Sequence, residues 1–315
     1  MSKFVLCRPC GGLNDILCQI EHCWNYSIKY NRTLIIDTTQ SSLNDEFSNY
    51  FEVQNDLLIL KIPNWMRKIF VHFVPKCGHA EVKLELNLKD ISPFQPNEIQ
   101  PNAALDPRLD YEISYVPEIR NYVRKGTKEQ LTFPRHIPHE ERILLHHQCG
   151  GGERSKKSLR RLKLKKEVSD EIINRLKKIE KPYSAIHIRN TDLKTDYVSF
   201  FEEIAPEVRG KNILICSDDS DCIEYAKTYF TNSNIMSISN IPNTEGKALH
   251  YHRTKDKYKT NIDSLADLVA LALSKKVYTT KSHKDRFSGF SRLAINLNKR
   301  KRTVFRLLGV RARDI

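Results

Sequence analysis

Tyr183-Ser184-Ala185-Ile186-His187-Ile188-Arg189-Asn190-Thr191-Asp192 is the stretch on which the reading of the fold turns. A short apolar run that gives way to Arg-Asn-Thr-Asp reads as a buried strand opening into a loop, so Arg189 and Asp192 emerge at its carboxyl end. Upstream, residues 169–179 read as a helix. Downstream the pattern alternates: helix over 198–204, strand 213–216, helix 220–230, strand 235–238, helix 264–273, short strand 277–279 and helix 290–297. Strands separated by helices of this length imply a parallel sheet covered on both faces, and hence a doubly wound domain of nucleotide-binding type.

The amino-terminal end repeats the architecture. An apolar strand over 4–6 leads through a glycine-containing loop into a helix whose Ile16, Ile20, Trp24 and Ile28 share one face, and a second strand covers 34–37. Between 41 and 138 the pattern weakens among many prolines, and no topology is assigned there. The expected organisation is two α/β domains, one over 1–155 and one over 156–315. In open α/β sheets the ligand sits beyond the carboxyl ends of the strands, which selects the loops 9–15, 189–196, 217–221 and 280–288.

Composition narrows the partners. At 315 residues and 40% hydrophobic content the chain supports two ordinary α/β domains. No apolar run approaches the ~18 residues of a membrane span, and Arg8 and Pro9 interrupt the start where a signal peptide would stay apolar, so a cytoplasmic location is expected. Eight cysteines are too sparse for a disulfide scaffold, which fits a reducing compartment. The net charge of +14 is concentrated. Residues 154–166 hold eight basic and no acidic side chains, residues 299–313 hold seven and none, and the remainder is nearly neutral. The first stretch, after Gly150-Gly151-Gly152, reads equally as a solvated linker and as a binding segment. The second interleaves Val304, Phe305, Leu307, Leu308 and Val310, which suits an interfacial helix on the anionic inner face of a membrane. No recognition module accompanies either stretch, so nucleic acid is not the expected partner.

Arg189 has an obvious use at a strand end. Group transfer from a sugar nucleotide expels a diphosphate, whose growing charge must meet a fixed cation or a metal. The competing reading is a structural ion pair with Asp192. Asp219-Ser220-Asp221 matches a pattern by which some glycosyltransferases hold a divalent ion. Asp221, however, falls in the first turn of the next helix, where acids are favoured anyway, and transfer without a metal is expected. Cys7, Cys10, Cys18 and Cys23 read as core residues rather than zinc ligands. His136, His139, His146, His147 and Cys149 read as part of a surface loop.

Four segments together resemble the fucosyltransferases of the bacterial nodulation and animal α1,6 type, and more distantly the protein O- and α1,2-fucosyltransferases. His187-Ile188-Arg189-Asn190-Thr191-Asp192 is similar to their His-x-Arg-x-x-Asp motif. Ile213-Leu214-Ile215-Cys216-Ser217-Asp218-Asp219 is similar to the second motif, and Phe287-Ser288-Gly289-Phe290-Ser291-Arg292 to the third. Gly11-Gly12-Leu13-Asn14-Asp15 resembles the opening loop.

The resemblance implies a GT-B-like α/β fold, two Rossmann-like domains facing across a cleft, and GDP-fucose as donor with no divalent metal or other cofactor. It implies that Arg189 binds the β-phosphate, that the His187 backbone lies against guanine, and that Asp267 accepts the guanine N1 and N2 hydrogens, with Asp263 as substitute or helix cap. Ser288 is the implied phosphate-binding serine, with Ser282 in competition because 281–286 is an enlarged loop. The family's acidic base falls on Tyr197 here, so Asp196 and, on the opening loop, Asp15 stand as alternatives. Asp192, Ser217, Asp218, Phe287, Gly11, Gly12 and Asn14 complete the expected site. The expected activity is inverting transfer to a glycan or lipid-linked oligosaccharide in cell-surface polysaccharide or glycolipid synthesis. Use of another GDP-sugar and a non-catalytic glycan- or nucleic-acid-binding protein are the rival readings.

Overall fold

The computed structural model describes residues 3–54, 82–83, 112–241, 256–282 and 285–315. The chain divides into two compact units, Met1–Gly11 with Asp15–Leu162, and Gly12–Asn14 with Lys163–Ile315.

The first unit is built on a parallel sheet of β1 (Phe4–Pro9), β2 (Thr33–Ile36), β4 (Val82–Lys83) and β7 (Ile143–Gln148), in the order β4-β2-β1-β7. Every residue of β1 and β7 is buried, as expected of strands covered on both faces. The chain leaves β1 through Gly11 at φ 89°, a left-handed conformation. A Cβ placed there would stand 2.9 Å from the Cβ of Asp15, so the turn also needs the missing side chain. Helix α1 (Leu13–Lys29) then buries Ile16, Leu17, Ile20, Cys23 and Trp24 against the sheet. Two short strands, β5 (Ile113–Val116) and β6 (Asn121–Arg124), form an antiparallel hairpin, and β3 (Phe51–Val53) lies near the end of the first described segment.

Two expectations for this unit are corrected. His146 and His147 are interior residues of β7 rather than part of a surface loop, and both are about 1% exposed. The basic stretch is not a solvated linker. Its Ser155–Arg161 segment is helix α2, followed by β8 (Leu162–Leu164), and it buries Ser155, Ser158 and Leu159. Ser158 Oγ donates to the Leu17 carbonyl at 2.7 Å, and Arg161 reaches buried Glu21 at 3.2 Å. The arginine charge is therefore partly spent inside the unit.

The second unit is a parallel sheet ordered β11-β10-β9-β12, from β9 (Tyr183–Ile188), β10 (Asn212–Ser217), β11 (Asn234–Met236) and β12 (Val277–Thr279). Side chains alternate across it. Ile186, Ile188, Ile213 and Ile215 pack on one face with Phe201, Ile204 and Val208 of α4 (Tyr197–Val208) and with Cys222, Ala226 and Phe230 of and beyond α5 (Ser220–Tyr229). The opposite set, Tyr183, His187 and Cys216, meets α6 (Lys257–Leu273) and α7 (Gly289–Asn298). Helix α3 (Lys166–Leu176) is tied to α6 by an ion pair between Arg175 and Asp263. Asp263 thus lies inside a helix capped by Asp256, and the cap expected of it belongs to a residue seven positions earlier.

The last helix, α8 (Lys301–Leu308), buries Val304, Leu307 and Leu308 within the unit. Three of the five apolar residues expected to lie in a membrane interface are thus spent on the protein interior, whereas Phe305 and Val310 are half-buried. Lys299, Arg300 and Arg302 stay exposed. Among the described residues no helix is long and apolar enough to cross a membrane.

Candidate active site

The carboxyl end of the second sheet gathers most of the expected donor-side residues, because β9, β10 and β12 run parallel and end side by side. Arg189 follows β9 directly. Its Nε and Nη2 donate to Asp192 Oδ1 at 2.9 and 2.6 Å, and Nε lies 3.1 Å from Asp218 Oδ2. Asp218, just beyond β10, is buried and held by the Asn190 amide at 2.7 Å and by Thr191 Oγ1 at 2.6 Å. The result is a guanidinium aimed by one buried and one exposed carboxylate. Ser217, the last residue of β10, is buried and accepts from the Asp219 amide at 3.1 Å. Asp219 caps α5 and receives the Asn190 side chain at 2.8 Å, while Asp221 stands exposed in that helix's first turn.

Ser288 is the N-cap of α7 and accepts from the Ser291 amide at 3.0 Å. Its hydroxyl lies 2.9 Å from Ser291 Oγ, which in turn lies 2.8 Å from His187 Nδ1. A hydrogen-bonded chain therefore runs from the strand end to the helix N-terminus. Burial, with the Arg189 charge second, pushes His187 down to about 3, so its ring is neutral at pH 7. The aromatic side chain beside that ring is Phe290, 5.1 Å between centroids. Phe287 is half-buried under the Lys281 ammonium at 5.6 Å. The Ser282 amide donates to the Arg286 carbonyl at 3.0 Å, and of the two serines it is Ser288 that holds the helix end.

Asp267, in α6, is 7% exposed and accepts from Ser239 Oγ at 2.6 Å. Burial raises it to about 7, against the lowering effect of hydrogen bonds from Ser239 and Cys216. Asp196 is exposed and caps α4 through the Ser199 amide at 3.0 Å. On the opening loop Gly11, Gly12 and Asp15 are half-buried and Asn14 is buried.

Several site residues were not singled out from sequence. Asn190, Thr191 and Ser239 hold the expected carboxylates, and Ser291 links His187 to Ser288. In the first unit, Arg8 Nε donates to Asp37 Oδ2 at 2.8 Å, with both side chains almost fully buried at the carboxyl ends of β1 and β2. His147 pairs with Arg8 in register, and burial with the Arg8 charge second pushes it down to about 3. The signal that could have found Arg8 is the one that found Arg189: an arginine closing a buried strand.

No protein-family model and no curated sequence matches the chain. Solved structures do. A crystal structure of NodZ α-1,6-fucosyltransferase soaked with GDP-fucose superposes with a TM-score of 0.59 at 17% identity, covering 94% of this chain and 93% of that one. Fucosyltransferase NodZ from Bradyrhizobium gives 0.58 at 17%, covering 94% of each chain. NodZ co-crystallized with GDP gives 0.57 at 16%, over 94% and 93%.

The chain has the fold of a GT-B fucosyltransferase.

The resemblance read from four short motifs is thereby borne out at the level of fold. Within this fucosyltransferase fold, the His-x-Arg-x-x-Asp segment ends a central strand of the second sheet, and the third motif opens α7 beside it.

Proposed function

We propose that the chain is an inverting fucosyltransferase that moves fucose from GDP-fucose to a hydroxyl of a glycan acceptor. The observation that carries this reading is the joint placement of Arg189 and the α7 N-terminus at one end of a parallel sheet, coupled through His187 and Ser291. A guanidinium and oriented helix amides together form a site for a diphosphate.

In this reading the second unit forms the donor domain and the first unit the acceptor side. Asp267 accepts the guanine N1 and N2 hydrogens, a pattern adenine cannot supply. The acceptor oxygen attacks the anomeric carbon as the bond to the β-phosphate breaks. The leaving charge falls on Arg189 and the α7 amides rather than on a divalent ion, and the acceptor proton passes to a carboxylate. Asp196 and Asp15 are the two proposed bases, and Asn variants of each decide between them. Asp192 and Asp218 hold Arg189 in line. The acceptor is a glycan or lipid-linked oligosaccharide at the cytoplasmic face of a membrane, met by the exposed Lys299, Arg300 and Arg302.

Calorimetric titration with GDP, UDP and ADP, each with and without chelator, tests the nucleotide and the metal. Binding confined to GDP and indifferent to chelator is expected, and equal binding of UDP or ADP refutes the guanine assignment. Hydrolysis of a panel of GDP-sugars then identifies the donor sugar.

A further inference from the structure

The β5–β6 hairpin of the first unit carries a surface that packing does not explain. In its register Tyr115 lies opposite Tyr122, Ile113 opposite Arg124, and Ser114 opposite Val123. Because side chains alternate, Val123 points to one face, where it is buried, and the Tyr115–Tyr122 pair to the other. Tyr115 is 47% exposed, and the two rings lie 5.4 Å apart between centroids.

The hairpin is fixed rather than loose. Gln148, the last residue of β7, accepts from the Tyr122 amide at 2.7 Å and donates to the Tyr122 carbonyl at 2.9 Å. That anchor puts the tyrosines at the carboxyl end of the first sheet, the end at which such sheets bind ligands. The half-buried Cys149, which follows Gln148 directly, interacts with both Tyr122 and Asp15, one of the two proposed bases.

We propose that the outward face of this hairpin is a subsite for the acceptor glycan, with Tyr115 and Tyr122 as its stacking residues; the inference rests on the transferase reading. A pyranose presents a face of C–H groups that packs on an aromatic ring and a rim of hydroxyls that needs hydrogen bonds. Tyrosine offers both an apolar ring and a polar tip, and Arg124 adds donors on the same face. Charges of both signs flank the rings, Glu112 and Glu118 with Arg120, Arg124 and Lys125, and Lys125 and Glu112 pair with each other.

The test uses the full chain. An array of neutral and acidic oligosaccharides identifies the tightest-bound tetrasaccharide, which is then titrated with saturating GDP present. Tyr115→Ala is expected to weaken glycan binding about tenfold, Tyr115→Phe to stay within about twofold, and both to keep the parent GDP affinity. Because Tyr115 faces outward, neither change should disturb folding. An array with no bound glycan, an unchanged glycan affinity in Tyr115→Ala, or a dimer that Tyr115→Ala dissociates overturns the inference. If GDP fails to bind the unaltered protein, the transferase reading fails instead, and the tyrosine comparison still stands on its own.

Discussion

Arg189 has two counter-ions before any donor arrives, and that sets what its replacement does. Asp218 is buried and held by two groups of the same loop besides Arg189, whereas Asp192 is exposed, so a diphosphate should displace Asp192 more easily than Asp218. Arg189→Ala is expected to lower transfer by about 10²–10³-fold, the scale of one lost oxyanion donor. The fold should persist, with a loss of about 1–3 kcal/mol from the Asp218 carboxylate left short of a partner, read by urea denaturation. Arg189→Lys should rescue little, because an ammonium cannot span both carboxylates as the planar fork does. Asp267 makes a pH prediction. Its folded value of about 7 is raised above the ordinary 3.8, so the protonated form stabilises the fold at low pH. That stability declines as pH rises from about 4 to 7 and is level above, by up to about 4 kcal/mol. GDP recognition needs the charged form, so GDP affinity should increase as pH rises through 7. Asp267→Asn should remove both dependences, checked by denaturation and calorimetry at pH 5 and 8. Arg189 and Asp192 were legible because they stand three positions apart; the Asp218 partnership was not, because 28 positions separate it from Asn190 and only the sheet brings them together.

At the scale of elements, α7 carries the argument. Its N-cap serves stability and, in the proposed reading, phosphate binding at once. Ser288→Ala should cost about 1 kcal/mol of stability and weaken GDP binding, whereas Ser288→Thr keeps the cap and should retain most of both, measured by urea denaturation and calorimetry. The helix existed in the sequence as a periodic apolar pattern over 290–297, but its bond to His187 did not, since only tertiary packing brings Ser291 to β9. The two basic segments show the opposite failure. Charge dominates their composition, yet Leu159, Leu162 and Leu164, and again Val304, Leu307 and Leu308, are the residues that place them, and all six are buried. In the tail the visible signal was the spacing of three and four residues after Val304, and in the first segment it was the alternation of Leu162 and Leu164, which lie in a strand.

At the scale of the molecule, the membrane proposal needs a test that respects the buried tail. Cutting the chain after Leu297 removes the apolar contacts of α8 and should destabilise the second unit, so a truncation cannot isolate the charges. Neutralising Lys299, Arg300 and Arg302 to Gln leaves that packing in place. This variant should lose flotation with anionic vesicles while keeping GDP affinity, and equal flotation with the parent refutes a role for the tail. The sequence by itself determined the α/β class, the alternation of strands and helices from residue 169 onward, and the loops beyond the strand ends. Those features follow from local periodicity and from the sterics of parallel strands, which any window of a dozen residues already expresses. Only the tertiary structure decided which carboxylates aim Arg189, which serine holds the end of α7, that α2 and α8 are packed, and that Arg8 closes β1 on Asp37. Each of these is a contact between residues remote in the chain, fixed by strand order and register rather than by the residues' own preferences.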